Sequence, residues 1–378
     1  ERQIEEQKQV VAAAEKSRSE TFSTHENEFQ KWLMAPTAVS PDLSGSYDLD
    51  AVKNESFSNL SGTKEPAKSP SRNTLVPGHR GQALLFTGDD ALILGKHAAD
   101  HAEDPLSMAF WLKPTEHSKR MVVFHNTSGK DTGYSGIELL LEDGKLRWNI
   151  AREWPGNCIS ILSHQALPLK AWSHIVVSYD GSSSASGLEI FINGKRQTTE
   201  IYRDQLTKNC LSGGVFAFGE RTRDAGLRGG SVDDIRLFTR VLTSLEIDGL
   251  YQSKPLLEVI TAIARDDSGL SLLREFYHSA VAEESRTASA KLHAARHALR
   301  LTMDGVTELP IMKEMKENRP VHVLARGEYS HPEGAALVRN TPSALPAFSN
   351  DLPRNRLGLA RWLTEPNHPL TARVHVNR

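Results

Sequence analysis

The stretch Leu188-Glu-Ile-Phe-Ile-Asn-Gly-Lys195 decides how this chain folds. Its β-branched and aromatic residues suit a pleated, half-buried strand. Asn193-Gly194 then supplies the two residues that accept positive φ at the centre of a type I′ turn, so the strand reverses on itself. The same pattern continues outward on both sides. His174–Tyr179 alternates just upstream, and Glu142-Asp-Gly144 makes a similar reversal between Ile137–Leu141 and Leu146–Ile150. Ala83–Leu94, Ser107–Lys113, Gly214–Gly219 and Val232–Phe238 complete the series. Short strands punctuated by turns, with almost no helical period over 81–245, predict an antiparallel β-sandwich.

The flanks read differently. Residues 1–35 lack Gly and Pro and carry a sparse apolar stripe of Ile4, Val11, Phe22, Phe29 and Leu33. That stripe suits one arm of a helical hairpin, or a solvated connector helix. Residues 36–80 are rich in Pro, Ser, Asn and Gly, with a short first strand expected within Leu43–Leu49 and a surface loop over 64–78. Within 246–305, Leu256, Leu257, Ile260, Ile263 and Ala264 have helical spacing. A second helical run, Leu270–Leu301, closes at Asp304-Gly305. Residues 306–378 are punctuated by Pro, and one short helix is expected from about Asn355 to Leu363. The expected partition is therefore a helix over 1–35, a sandwich over 36–245, a helical segment over 246–305 and a separate module over 306–378. The sandwich is inserted between helices that pair with each other.

Composition narrows the function classes. With 378 residues the prior is about two domains. Apolar residues make up 39% and charged residues 24%, which supports a packed core rather than a disordered chain. Lys and Arg number 45 against 47 Asp and Glu, a balance that disfavours a nucleic-acid binder. No apolar run approaches the roughly 18 residues of a membrane span. The chain opens at Glu1 inside a helical pattern, so it reads as a fragment. Its lack of a secretory signal then says nothing of compartment. Cys158 and Cys210 are the two cysteines. Without C-x-x-C or C-x-x-C-H there is no zinc knuckle and no covalent haem attachment in this piece. The two either pair across neighbouring loops of the β region or stay separate buried thiols.

Six motifs, in order over residues 42–245, resemble those of laminin-G-like, concanavalin A-like jelly-roll domains. They are Gly81-Gln-Ala-Leu-Leu-Phe-Thr-Gly-Asp-Asp90, Phe110-Trp111, Trp172-Ser-His-Ile-Val-Val-Ser-Tyr-Asp180, Leu188–Gly194, Ser231-Val-Asp-Asp-Ile-Arg-Leu-Phe238 and Arg240-Val-Leu-Thr-Ser-Leu-Glu246. Met312–Arg319, Pro320–Tyr329, Pro353–Leu363 and Pro369–Arg378 resemble the opening of an uncharacterised module in a planctomycete multidomain family. In that family a cytochrome domain usually comes first and a laminin-G-like domain is often inserted before the module. The resemblance implies a non-catalytic carbohydrate or cell-surface recognition domain, periplasmic or extracellular, attached to further domains of the same protein and linked to polysaccharide use. A structural or protein-interaction role is one alternative. Membership of a redox or hydrolytic enzyme whose site lies in the C-terminal module is another.

The candidate site residues follow from chemistry. Saccharide binding needs aromatic platforms beside polar groups that bond hydroxyls. Tyr134, Trp154 and Tyr202 are the platform candidates. Trp148 alternates with Leu146 and Ile150 and is expected in the core, as are Trp111 and Trp172. His125, Asn126 and His164 are candidates for the same end of the sandwich. Arg221 and Arg223, in a Gly-rich loop that lacks the G-K-[ST] of a phosphate loop, either meet an anionic glycan or pair with Glu220 and Asp224. Glu138 and Glu142 share a strand face, either as paired carboxylates or as a solvated face. In related jelly rolls the position of Asp233 often binds a structural cation, so the resemblance implies a possible Ca2+ at Asp233 with Asp48, Gly88 and Asp89 as neighbours. His293 and His297 have i, i+4 spacing but no zinc signature, and a solvated helix face is expected. No Lys follows Lys316, so Arg354, Arg356, Arg361, Arg373 and Arg378 supply most of the later positive charge. They form either a buried structural network or a site for an anionic substrate.

Overall fold

The computed structural model describes residues 1–39, 42–62, 65–70, 72–95, 97, 100–130, 133–211, 215–307, 309, 311–312, 314–315 and 317–377, without the side chains of 23, 24 and 130. Gly214 and Arg378, both weighed above, lie outside the described residues. The chain forms two compact units, Glu1–Val306 and Thr307–Arg378.

The first unit is built on β1 (Leu43–Tyr47), β2 (Ser56–Phe57), β3 (Ala67–Lys68), β4 (Thr74–Pro77), β5 (Gln82–Leu85), β6 (Leu92–Gly95), β7 (Leu106–Lys113), β8 (Met121–His125), β9 (Ser128–Lys130), β10 (Gly133–Glu142), β11 (Lys145–Glu153), β12 (Asn157–Ala166), β13 (Ser173–Tyr179), β14 (Leu188–Ile192), β15 (Lys195–Arg196), β16 (Thr199–Asp204), β17 (Phe216–Phe218) and β18 (Ser231–Phe238). One sheet has the order β15-β14-β13-β7-β18-β5-β4, with β1 also on β18. The other has the order β16-β12-β11-β10-β8-β17-β6-β3-β2, with β9 on β10. The strand pairs of both sheets are antiparallel. The deciding hairpin joins β14 to β15, with Asn193 at φ 52° and Gly194 at φ 77°, the left-handed pair that a type I′ turn requires.

The expected single strand Ala83–Leu94 is instead two, β5 and β6, and they lie in different sheets. The crossover passes through Gly88 at φ 91°. Strands β2, β3, β4, β8, β9, β12 and β16 went unanticipated, and β3 and β4 replace part of the surface loop expected over 64–78. Most are too short to show a period, but β12 and β16 are longer. One face of each is polar, so neither shows the apolar run that marks a buried strand.

The core lies between the sheets. Phe110 packs edge-on against Phe218 at 5.2 Å and Phe124 at 5.9 Å. Trp148 is fully buried, and its indole N–H donates to the Ser178 carbonyl at 3.0 Å, so the core placement holds. The other face of the first sheet carries Ala109, Val176, Phe191 and Phe238 under Leu242 and Ile247. Trp111 is buried on this same side, stacked on His79 at 3.4 Å. Trp172 differs from the expectation: it is half-buried, with the Lys113 ammonium 4.8 Å from its ring.

Helices α1 (Arg2–Thr24) and α2 (Glu26–Met34) meet α3 (Ser244–Gln252), α4 (Leu256–Ala262), α5 (Asp267–Phe276) and α6 (Glu283–Asp304). Phe29 and Trp32 of α2 are buried with Val259, Ile260, Leu273 and Phe276, while Arg296 of α6 pairs with Glu15 of α1 at 3.0 Å. Thr243 and Glu246 form a reciprocal capping box that fixes where α3 starts.

His293 and His297, expected on a solvated helix face, keep 43% and 39% of their side-chain surface exposed, yet both are paired. His293 bonds Asp104 at 2.9 Å, and His297 bonds Glu103. Glu103 is 2% exposed and also accepts from Nε and Nη2 of Arg300. Arg300 in turn bonds Asp304 at 2.6 Å. About two turns of α6, from His293 to Arg300, are thus docked on the sandwich through the loop before β7.

In the second unit, α7 (Arg356–Leu363) is capped by the Asn355 side chain, which accepts from Gly358 N–H at 3.1 Å, and α8 (Thr371–Val376) follows. The buried network expected of its arginines is not what forms. Arg354, Arg356, Arg361 and Arg373 are exposed, whereas Trp362 and His368 are buried, the Trp362 N–H donating to Pro346 O at 3.0 Å.

Candidate functional site

Alternation makes β10, β11 and β12 two-sided. Ile137, Leu139, Leu141, Leu146, Trp148, Ile150, Ile159 and Ile161 belong to the core. Glu138, Asn149 and Ser160 therefore share the opposite face. Register sets them in a line: His125 opposes Glu138, Glu138 opposes Asn149, Asn149 opposes Ser160, and Ser160 opposes Arg203. One polar row thus crosses β8, β10, β11, β12 and β16.

Charge on this face is alternating and mostly buried. Asn149 Nδ2 donates to Glu138 at 2.8 Å. Arg221, 2% exposed, bonds Glu138 with one terminal nitrogen and Asp224 with the other, and its guanidinium lies 3.8 Å from the Tyr134 ring. Arg120 grips Asp224 through Nε and Nη2 at 3.2 and 3.1 Å and stands 3.5 Å from Glu142. Arg147 bonds Glu142 at 2.7 Å. The paired carboxylates weighed in the sequence are thus neither a solvated face nor a free acid–base pair, because guanidiniums hold each of them.

The titrations follow from these partners. Burial opposes ionisation of Asp224, but the bonds from Arg120 and Arg221 outweigh it and hold its pKa below the usual value. Burial pushes Glu142 up despite Arg147 and Arg120. Burial, aided by Arg221, pushes His125 down to about 4, so its ring is neutral at pH 7. His125 Nδ1 accepts from Thr127 N–H at 3.0 Å, which leaves Nε2–H to donate to Glu220 O at 3.1 Å.

Four buried polar atoms on this side have no hydrogen-bond partner among the described residues: Arg147 Nε, Asn149 Oδ1, Ser160 Oγ and Arg221 Nε. Buried polar groups are rarely left so, because each costs about 1–3 kcal/mol. Beside them the Trp154 and Tyr202 rings lie parallel, 3° apart in tilt with centroids 5.9 Å apart. The Arg147 and Arg203 guanidiniums lie 4.1 and 4.5 Å from the Tyr202 ring. Trp154 comes from the β11–β12 turn, and Tyr202 sits at a register shift in the pairing of β12 with β16. Flat apolar rings next to fixed donors and acceptors suit a ligand with an apolar ring face and hydroxyl edges.

The structure therefore brings the sequence candidates together in two pairs, Trp154 with Tyr202 and Tyr134 with Arg221. Arg223 is exposed on the Arg221 loop, at φ 62°. Asn126 is structural, its Oδ1 accepting from Ile137 N–H at 2.8 Å, and His164 is exposed on β12. Sequence reasoning missed Arg147, Asn149, Ser160 and Arg203. The alternation Leu146-Arg-Trp-Asn-Ile150 held the signal for two of them, since polar residues between core residues mark the outer face. The loop carrying Arg221 is set by Gly219 at φ 84°, where a Cβ would meet Phe86 Cδ1 at 2.0 Å.

The cation expectation meets a different geometry. Asp233 is 1% exposed, its Oδ2 accepts from Arg80 N–H at 3.0 Å, and burial raises its pKa to about 6. Asp48 accepts from Asp50 N–H at 3.2 Å, and the backbone N–H of Asp89 donates to Thr87 Oγ1 at 3.2 Å. Among the described residues no three His, Cys, Asp or Glu side chains are gathered in one cluster.

Of the two alternatives for the cysteines, the structure has the second: Cys158 and Cys210 are separate buried thiols. Cys210 belongs to the core cluster, whereas Cys158 opposes Ala151 on the other face of β12 and donates to Pro155 O at 3.5 Å. The sheet separates them.

Residues 86–248 match the family described as the concanavalin A-like lectin/glucanases superfamily, so the sandwich is a jelly roll of that kind. The residues that resemble a C-terminal module lie beyond this match. A comparison with curated proteins finds no match. The chain is similar to the binding domain of Paraclostridial Mosquitocidal Protein 1, at 15% identity over 56% of this chain and 52% of that one, with a TM-score of 0.44. It is similar to the receptor binding domain of botulinum neurotoxin D, at 14% identity over 56% and 52%, with a TM-score of 0.44. It is also similar to Domain 4 of AbnA, a GH43 extracellular arabinanase from Geobacillus stearothermophilus in complex with arabinotriose, at 17% identity over 57% and 100%, with a TM-score of 0.41. The chain spans about half the length of the two toxin domains.

Proposed function

We propose that the jelly roll is a carbohydrate-binding module that recognises a polysaccharide on the polar face of β10, β11, β12 and β16. The observation that carries this reading is the set of four unpartnered buried polar atoms at Arg147, Asn149, Ser160 and Arg221, beside the parallel Trp154 and Tyr202 rings. A sugar ring stacks its apolar face on the aromatic pair and offers hydroxyls that both donate and accept, which the two N–H groups, the amide oxygen and the serine hydroxyl need. The module would work on the periplasmic or extracellular side, where polysaccharides are met, and would deliver the rest of its protein to them. Its carboxylates, Glu138 and Glu142, are committed to arginines, which suits binding rather than acid–base chemistry.

The test is calorimetry of the full chain against a panel of neutral and sulfated polysaccharides, with calcium and with chelator. Saturable binding that weakens at least tenfold in Trp154→Ala and in Asn149→Leu supports the reading. Chelator-sensitive binding would call for a cation after all. A folded chain that binds no member of the panel, or binds equally well after both substitutions, refutes it.

A further inference from the structure

The C-terminal unit holds a cleft of about 640 Å³ that the saccharide reading does not use. Its size falls in the range of small-molecule sites. Its lining carries four guanidiniums, Arg319, Arg339, Arg354 and Arg356, against one carboxylate, Glu314. Guanidiniums stay charged at any working pH, so four in one cleft repel each other unless anions neutralise them.

The basic wall is preformed. Arg339 donates to the Arg354 carbonyl at 2.8 Å, and Arg354 donates back to the Arg339 carbonyl at 2.6 Å. The Arg354 guanidinium also lies 5.4 Å from the Phe348 ring. These reciprocal bonds use one terminal nitrogen of each guanidinium and leave further N–H groups. Glu314 shows what the wall does to an oxyanion. Its Oε1 accepts from both the backbone N–H and the Nε of Arg356, at 3.1 and 2.9 Å, and its other oxygen is 3.9 Å from Arg339. Those bonds hold its carboxyl below the usual range. Glu314 balances one positive charge of four. Arg339 shares that carboxylate at long range, Arg319 and Arg354 have no acidic partner among the described lining residues, and Phe348 and Leu359 give the same cleft an apolar side.

We propose that this cleft binds a sugar-sized organic oxyanion, its sulfate, phosphate or carboxylate group held by Arg319, Arg339 and Arg354 and its ring against Phe348. Fixed forked donors with an uncompensated positive charge recognise that chemistry. The site is independent of the jelly-roll face.

The experiment titrates the full chain with glucose 6-sulfate, glucose 6-phosphate and glucuronate, with glucose as the neutral control. Saturable binding of at least one oxyanion, absent for glucose and weakening as sodium chloride rises, is expected, and the preferred probe identifies the group. Arg354→Gln should weaken it at least tenfold. Because Arg354 also ties the chain, Arg319→Gln is the second variant, with at least a fivefold loss expected. Trp154→Ala should leave this affinity unchanged, which separates the cleft from the saccharide face. No binding of any oxyanion, equal binding of glucose, or affinity unaltered in both arginine variants overturns the proposal.

Discussion

Replacing Glu103 by Gln tests the junction between α6 and the sandwich. The carboxylate is buried and faces Arg300 and His297. Burial alone would raise its pKa, but the hydrogen bonds from Arg300 and His297 outweigh burial and bring it from 4.5 to about 2. A group with a depressed folded pKa contributes stability above its unfolded pKa and loses it as pH falls through the folded one. A difference of roughly 2.5 units corresponds to about 3 kcal/mol at pH 7, and by pH 3 about 2 kcal/mol of that is gone. Leaving Arg300 without its main partner has a cost of the same order. The assay is urea unfolding of the wild-type chain and of Glu103→Gln at pH 7 and pH 3, followed by tryptophan fluorescence. The gap between them should be about 3 kcal/mol at pH 7 and about 1 kcal/mol at pH 3. A gap below about 0.5 kcal/mol at pH 7, the range of ordinary surface substitutions, or one that does not shrink with acid, would refute the ion network as the source of this stability.

Two further outcomes follow from the same geometry. Gly219→Ala should destabilise by about 2 kcal/mol or more, because a left-handed residue gains a Cβ at 2.0 Å from Phe86; a melting temperature within 1 °C of wild type would contradict that placement. Burial pushes the Cys158 thiol up to about 11 from the ordinary 9. Its thiolate fraction at pH 8 should therefore be about 100-fold below that of a free cysteine, and a thiol reagent should modify it only on unfolding; rapid labelling of the native chain would argue against the burial.

The elements differ in how far they could be read in advance. The β14–β15 hairpin was legible because Asn193-Gly194 states its turn geometry locally. Trp148 was legible as core because its neighbours Leu146 and Ile150 alternate with it. β12 was not, since Asn157, Ser160 and Ser163 break the apolar pattern that marks a strand. One partner of Arg221, Asp224, was legible three residues away, but the other, Glu138, lies 83 residues away in sequence and was not. The pairing of His297 could not be read from its own helix, because its partner, Glu103, comes from a loop in the sandwich.

The sequence by itself determined the strand periodicity, the turns that close hairpins and the residues that must be inside, because these depend on neighbours within a few positions along the chain. It also presented Trp154, Tyr202, Tyr134 and Arg221 as candidates, without saying which of them meet. Only the tertiary structure decided that Trp154 lies parallel to Tyr202, that Glu138, Asn149, Ser160 and Arg203 form one row, and that Cys158 and Cys210 stay apart. Register and sheet order set those distances. They emerge from the whole pattern of burial, since a slip of one residue would exchange the core face for the polar one.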